Sequence, residues 1–126
     1  MQFDTNRALY LQIAEELRRR IVSGRLKPGD RIMPVRQLAA ELGVTPNTLQ
    51  RAFQELERED LLYTDRTSGR FVSEDKEKIQ NLKRESSMES LDEFITTMLP
   101  AGFGPEEILK LVSERLERRM SDDRKQ

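Results

Sequence analysis

Three residues at fixed offsets constrain this chain more than anything else in it: Ala39 falls four positions before Gly43, and Leu49 six positions after it. A small residue at the first place lets two helices approach closely, a glycine at the second takes the positive φ that ends the first helix, and a branched apolar residue at the third packs back between them. Thr45 is a good N-cap, Pro46 suits the first helical position, and Leu49, Ala52, Phe53 and Leu56 then share one face at helical spacing. The opposite face carries Asn47, Thr48, Gln50, Arg51 and Gln54, all able to hydrogen-bond base edges or phosphates. The pattern predicts a helix-turn-helix over residues 35 to 54; the plainer alternative is a two-helix corner inside an ordinary helical domain.

The segment after the second helix favours the helix-turn-helix. Beyond Glu59-Asp60 the helical period stops, and residues 61–65 and 70–73 have the character of two short strands around Arg66-Thr67-Ser68-Gly69, a small basic hairpin or wing. Upstream, Leu9, Ile13, Leu17 and Ile21 recur every four residues, with Tyr10 and Ala14 beside them, and Gly24 closes that helix. Residues 26–32 then form a turn into a short extended segment positioned to pair with the wing. Arg66 and Arg70 bracket the polar tip and are expected to touch phosphate or the minor groove.

Composition narrows the function classes. With 126 residues, 36% of them hydrophobic, one domain with an appendage is expected, and no large sensory domain. Cysteine is absent and no apolar run is long enough for a membrane span or signal peptide, so a reducing cytoplasm is the expected compartment. His is absent as well, which removes the commonest metal ligand and general base. Glu15-Glu16, Glu57/Glu59 and Glu106-Glu107 read as solvated carboxylates or helix-dipole partners, so neither catalysis nor a cofactor is expected. The net charge of −1 conceals an uneven distribution: residues 7 to 51 hold nine Lys or Arg against four Asp or Glu, and residues 73 to 126 hold ten against thirteen. Positive charge is concentrated where phosphate contacts belong. Arg18-Arg19-Arg20 is read as a solvated helix face.

The remainder reads as two helices separated by Pro100-Ala101-Gly102-Phe103-Gly104-Pro105. Ile79, Leu82, Leu91, Phe94, Ile95 and Met98 make one stripe, with a bend expected at Ser86-Ser87. Ile108, Leu111, Val112, Leu116 and Met120 make the other. Neither helix buries its stripe alone, so the expected partner is the same pair of helices in a second subunit; the alternative is that they fold back on their own chain. The expected divisions are residues 1–73 for the winged unit, 74–120 for the dimerisation tail and 121–126 as a frayed end.

Over residues 8 to 72 the chain resembles the GntR family of bacterial winged-helix regulators. The resemblance is carried by the YxQIAxxLRxxIxxGxLxPGDR run, the VRxLAxELGVxPNTxxRAxxELExE run and the closing GRFV. The Pro-Asn-Thr opening of the second helix of the motif looks most like the YtrA-like subgroup. The resemblance implies a mainly α fold with a small β-hairpin, an N-terminal winged helix-turn-helix and a C-terminal two-helix dimerisation tail. It also implies a homodimeric repressor on an inverted-repeat DNA operator, often of its own operon and nearby transport genes. It assigns DNA contacts to Arg36, to the stretch Thr45, Pro46, Asn47, Thr48, Gln50 and Arg51, and to Gly69 with its neighbours Thr67 and Ser68. A protein-interaction adaptor and a small-molecule-sensing regulator are the other classes considered, and no effector is identified. Three positions depart from the family pattern: Met33-Pro34 replaces the usual Pro-Ser before the motif's first helix, Thr67 replaces a wing glycine, and Asp60 replaces a glycine after the recognition helix. The first removes a capping hydroxyl, and the last is strained if the turn needs positive φ.

Overall fold

The computed structural model describes residues 2–124. The elements are α1 (Leu9–Val22), α2 (Val35–Leu42), α3 (Pro46–Arg58), β1 (Leu62–Asp65), β2 (Gly69–Val72), α4 (Lys76–Met98) and α5 (Pro105–Arg124). They divide into a unit of residues 1–84 and a second of residues 85–126, with α4 starting in the first and ending in the second.

In the first unit α1 and α2 both pack against α3. Ile13, Leu17 and Ile21 meet Leu38, Ala39 and Leu42 around Leu49, Ala52, Phe53 and Leu56, and the last four are fully inaccessible. Leu9, expected in the α1 stripe, is 37% exposed at the first position of the helix. Gln12 is buried in its stead. Its amide nitrogen donates to the carbonyls of Asp4 and Arg7, and its oxygen accepts from the Asp4 N–H, tying the N-terminal strap to α1.

Each turn of the motif has a local cause. Gly43 adopts φ +72°, so that the Val44 N–H reaches Ala39 O at 3.0 Å and the Gly43 N–H reaches Ala40 O at 3.3 Å, closing α2. Thr45 caps α3 through its hydroxyl, 3.3 Å from the Thr48 N–H, and Pro46 follows at the first helical position. Pro34 precedes α2 without a side-chain cap, as its lack of an oxygen dictates. The end of α3 repeats the α2 closure, with Leu61 N–H to Leu56 O at 2.9 Å and Asp60 N–H to Glu57 O at 3.0 Å, but the left-handed residue is Asp60, at φ +58°. Asp60 is the one non-glycine with positive φ among the described residues.

β1 and β2 pair antiparallel, Leu62 opposite Val72 and Asp65 opposite Gly69. The expected extended segment does join them: Arg31 bridges Phe71, the Ile32 N–H donates to Arg70 O and the Val72 N–H to Asp30 O, both at 2.8 Å. Leu61, Leu62 and Val72 complete the core beneath the hairpin.

The expected boundary at residue 73 lies too early. Ile79 is buried in the core of the first unit and Leu82 packs against it, so the first two turns of α4 belong to the winged unit. α4 is helical without interruption through Ser86-Ser87, where a bend was expected. In the second unit the remainder of α4 and α5 are joined by residues 99–104, and Glu107 accepts the Gly104 N–H at the start of α5 in the expected N-terminal role. α5 stays helical to Arg124, so the frayed end expected from residue 121 is not seen that far; residues 125 and 126 lie outside the described residues.

Candidate nucleic-acid interface

α3 presents its polar side outward because its apolar side is consumed entirely by the core. Pro46, Asn47, Gln50, Arg51 and Gln54 are exposed, as is Arg36 on α2. Thr48 is half-buried, its hydroxyl 2.8 Å from that of Thr45, so part of its hydrogen-bonding capacity is used in the cap. The Arg51 guanidinium lies over the Tyr10 ring, 4.0 Å from its centre. That contact lets an exposed arginine keep its charge while restricting where its long side chain points.

The hairpin is fastened to α3 by Glu57. One carboxylate oxygen accepts from Arg70 Nε and from Thr64 Oγ1, each at 2.8 Å, and Thr64 and Arg70 are themselves cross-strand partners. Arg70 also covers the ring of Phe53 at 4.3 Å and reaches Gln50 Oε1 at 3.4 Å. Its side chain is only 18% exposed. Arg70, expected to touch phosphate, is thus engaged within the fold, and Glu57, read as a solvated carboxylate, is the group that holds it. Glu59 and Arg18 are corrected in the same way: they pair at 2.6 Å across α1 and the end of α3. Arg19 and Arg20 both reach Glu16, and the Arg19 hydrogen bond leads in holding the Glu16 carboxyl below its ordinary range.

Arg66, Thr67 and Ser68 form the exposed wing tip. Asp65 Oδ1 accepts the Thr67 N–H at 2.9 Å and its hydroxyl at 2.8 Å, which closes the loop locally and lowers the Asp65 pKa below the usual aspartate range. Thr67 therefore has a use of its own where the family pattern has glycine, and the left-handed conformation falls on Gly69, at φ +117°. Tyr63 and Phe71 stack on the outer face of the hairpin, their centroids 5.6 Å apart.

Of the tail positions expected at a subunit interface, Ile79 and Leu82 are occupied in the first unit. In the second unit Ile108 is buried and Leu111 half-buried, and Met98 is half-buried as well. Leu91, Phe94, Ile95, Val112 and Leu116 remain exposed. Sequence periodicity missed Leu109, 72% exposed, which joins Val112, Leu116 and Met120 on the exposed side of α5. Among the described residues no cluster of His, Cys, Asp or Glu is placed to hold a metal ion, and no helix is long and apolar enough to cross a membrane.

A helix-turn-helix with an exposed polar second helix, followed by a hairpin clamped against it, defines a winged helix-turn-helix DNA-binding protein. A model of the bacterial regulatory proteins of the gntR family matches residues 9–72. The chain is 38% identical over 109 residues to the uncharacterized HTH-type transcriptional regulator YhcF of Bacillus subtilis, spanning 86% of this chain and 90% of that one. It is 39% identical over 66 residues to the HTH-type transcriptional repressor YtrA of the same organism, which is about half of either chain. A solved GntR family transcriptional regulator from Listeria monocytogenes superposes with a TM-score of 0.76 at 36% identity, over 89% of this chain and 98% of that one. The chain belongs to the GntR family, and is a DNA-binding transcriptional regulator rather than an enzyme.

Proposed function

We infer that the protein is a cytoplasmic repressor that binds an inverted-repeat operator as a homodimer. The observation that carries this reading is the pairing of two surfaces. The first unit exposes Arg36, Asn47, Gln50 and Arg51 beside the wing tip, while the second leaves an apolar face uncovered on each helix: Met88, Leu91 and Ile95 on α4, with Leu99 just past its end, and Leu109, Val112, Leu116 and Met120 on α5. The first is polar where a protein-interaction adaptor would be apolar. The second suits a second copy, whose identical faces are apolar in the same places. Two recognition helices on a twofold axis engage successive major grooves about 34 Å apart, joining two weak half-site contacts into one useful affinity. The repressor role is supported by the name of the YtrA relative.

Sedimentation at micromolar concentration should give two chains. Ile95→Asp with Leu116→Asp should give one; Leu111 is left unchanged, because it is half-buried within the second unit and its loss would disturb that unit itself. Selection from a random duplex pool should enrich two inverted half-sites whose centres lie about one helical turn, or a multiple of it, apart. A monomeric full-length chain would defeat the dimer, and enrichment of a single unrepeated half-site would defeat the inverted-repeat operator.

A further inference from the structure

Arg31 closes the first run that carries the family resemblance but is assigned no DNA contact by it, yet the hairpin builds a place for it. It faces Phe71 across the bridge that joins its segment to β2, and its guanidinium extends diagonally to Gly69, two residues along the same strand. A Cβ on Gly69 would stand 3.1 Å from Arg31 Nε and 3.4 Å from Nη2. The bare Cα of Gly69 thus leaves the floor on which the guanidinium rests. Gly69 is constrained twice, by its φ of +117° and by this close approach.

Two acids of the hairpin and α3 have hydrogen-bond partners of their own. Asp65, the cross-strand partner of Gly69, accepts the N–H and hydroxyl of Thr67, and Glu57 holds Arg70 and Thr64. Among the described residues no carboxylate lies within ion-pair distance of Arg31, which is exposed. Arg70, the cation that strand alternation puts in the same hairpin, is paired and largely covered. A guanidinium without an acid partner, held at the base of a wing by backbone pairing, is a ready donor to two phosphate oxygens at once.

We propose that Arg31, and not Arg70, supplies a contact from the base of the wing to the DNA backbone, with Gly69 as the floor that aims it. The proposal rests on the wing facing DNA. Because a phosphate contact is independent of sequence, the test needs no operator: a labelled duplex of random sequence, roughly two helical turns long, is titrated with the full-length chain by fluorescence anisotropy over a range of salt concentrations. Arg31→Ala should lower the slope of log affinity against log salt by about 0.9 per bound chain, and Arg31→Lys should retain it. Arg70→Ala, measured where circular dichroism shows it folded, should leave the slope at the wild-type value. So should Arg19→Ala, which removes an exposed cation from α1. An unchanged slope in Arg31→Ala, or an equal fall in Arg70→Ala or Arg19→Ala, overturns the assignment. A wild-type chain that leaves the duplex unbound at low salt defeats instead the DNA-facing wing on which the assignment rests, and is told apart because no slope exists to compare.

Discussion

Replacing Asp60 by glycine and by alanine measures the strain held at the end of the recognition helix. The same hydrogen-bond pattern closes α2 and α3, but α2 uses Gly43 at φ +72° and α3 uses Asp60 at φ +58°. An L side chain in that region costs roughly 1–2 kcal/mol, with aspartate toward the lower end because its short polar side chain tolerates the conformation. Glycine removes that cost and gives back about 0.4–1 kcal/mol through a looser unfolded chain. The contact between Asp60 and Lys78, at 3.5 Å with the carboxylate side chain 83% exposed, adds at most a few tenths of a kcal/mol. The net for Asp60→Gly is a gain of about 0.5 kcal/mol. Asp60→Ala keeps the steric cost and loses the tolerance, so it should fall below wild type, with about 1 kcal/mol between the two variants. For a unit of this size that separation corresponds to roughly 4–8 °C in Tm, well within the reach of thermal melts followed by circular dichroism. An alanine variant as stable as the glycine variant would refute the argument, because strain from the Cβ would then be absent.

Arg70→Ala should lower stability by about 1–2 kcal/mol in urea melts, and a double-mutant cycle with Glu57→Ala should show the two residues coupled; independent effects would contradict the clamp. A chain cut after Arg84 should melt cooperatively, whereas one cut after Ser73 loses Ile79 and Leu82 and should be markedly less stable. Ile79→Ala in the intact chain should cost about 2–4 kcal/mol by denaturant titration, and equal melting of the two fragments would return α4 wholly to the tail. Arg51→Ala should weaken operator binding by about 1–3 kcal/mol with stability nearly unchanged, and a competition assay should find discrimination lost at one base pair per half-site; uniform weakening across sequences would point to a phosphate contact. Because the folded Asp65 carboxyl titrates below its unfolded value, its hold on the wing tip is complete above the unfolded range near pH 4 and is lost as pH falls through the lower folded midpoint. The Thr67 amide resonance should report that transition, and a midpoint above the unfolded value would reverse the sign.

The motif was legible because its determinants are local. Gly43, Thr45 and Pro46 act within four residues of themselves, and the period of α3 separates buried from exposed faces without reference to any other element. Asp60 was legible too, as a side chain where the turn calls for glycine. The clamp was not: Arg70 lies 13 residues from Glu57, and Arg18 lies 41 from Glu59, and nothing in a charge pattern says which oppositely charged residues will meet. The engagement of Arg70 with Glu57 and Phe53 was hidden for the same reason. Helical spacing likewise identified Ile79 and Leu82 as apolar face residues but not which core they enter. On α5, a stripe drawn through Ile108 and Met120 merged two faces, one turned inward and one outward, so that Leu109 was overlooked.

The single Glu57 oxygen shared by Thr64 and Arg70 has a consequence for the kinetics of association. A loop that must be ordered on its target loses side-chain freedom at the moment of binding, at about 0.5–1.5 kcal/mol for each flexible side chain immobilised. Here the base of the hairpin and the surface of α3 are already joined during folding. Encounter with a duplex is therefore expected to be governed by diffusion and long-range attraction rather than by waiting for a segment to fold, giving an association rate that falls steeply with ionic strength.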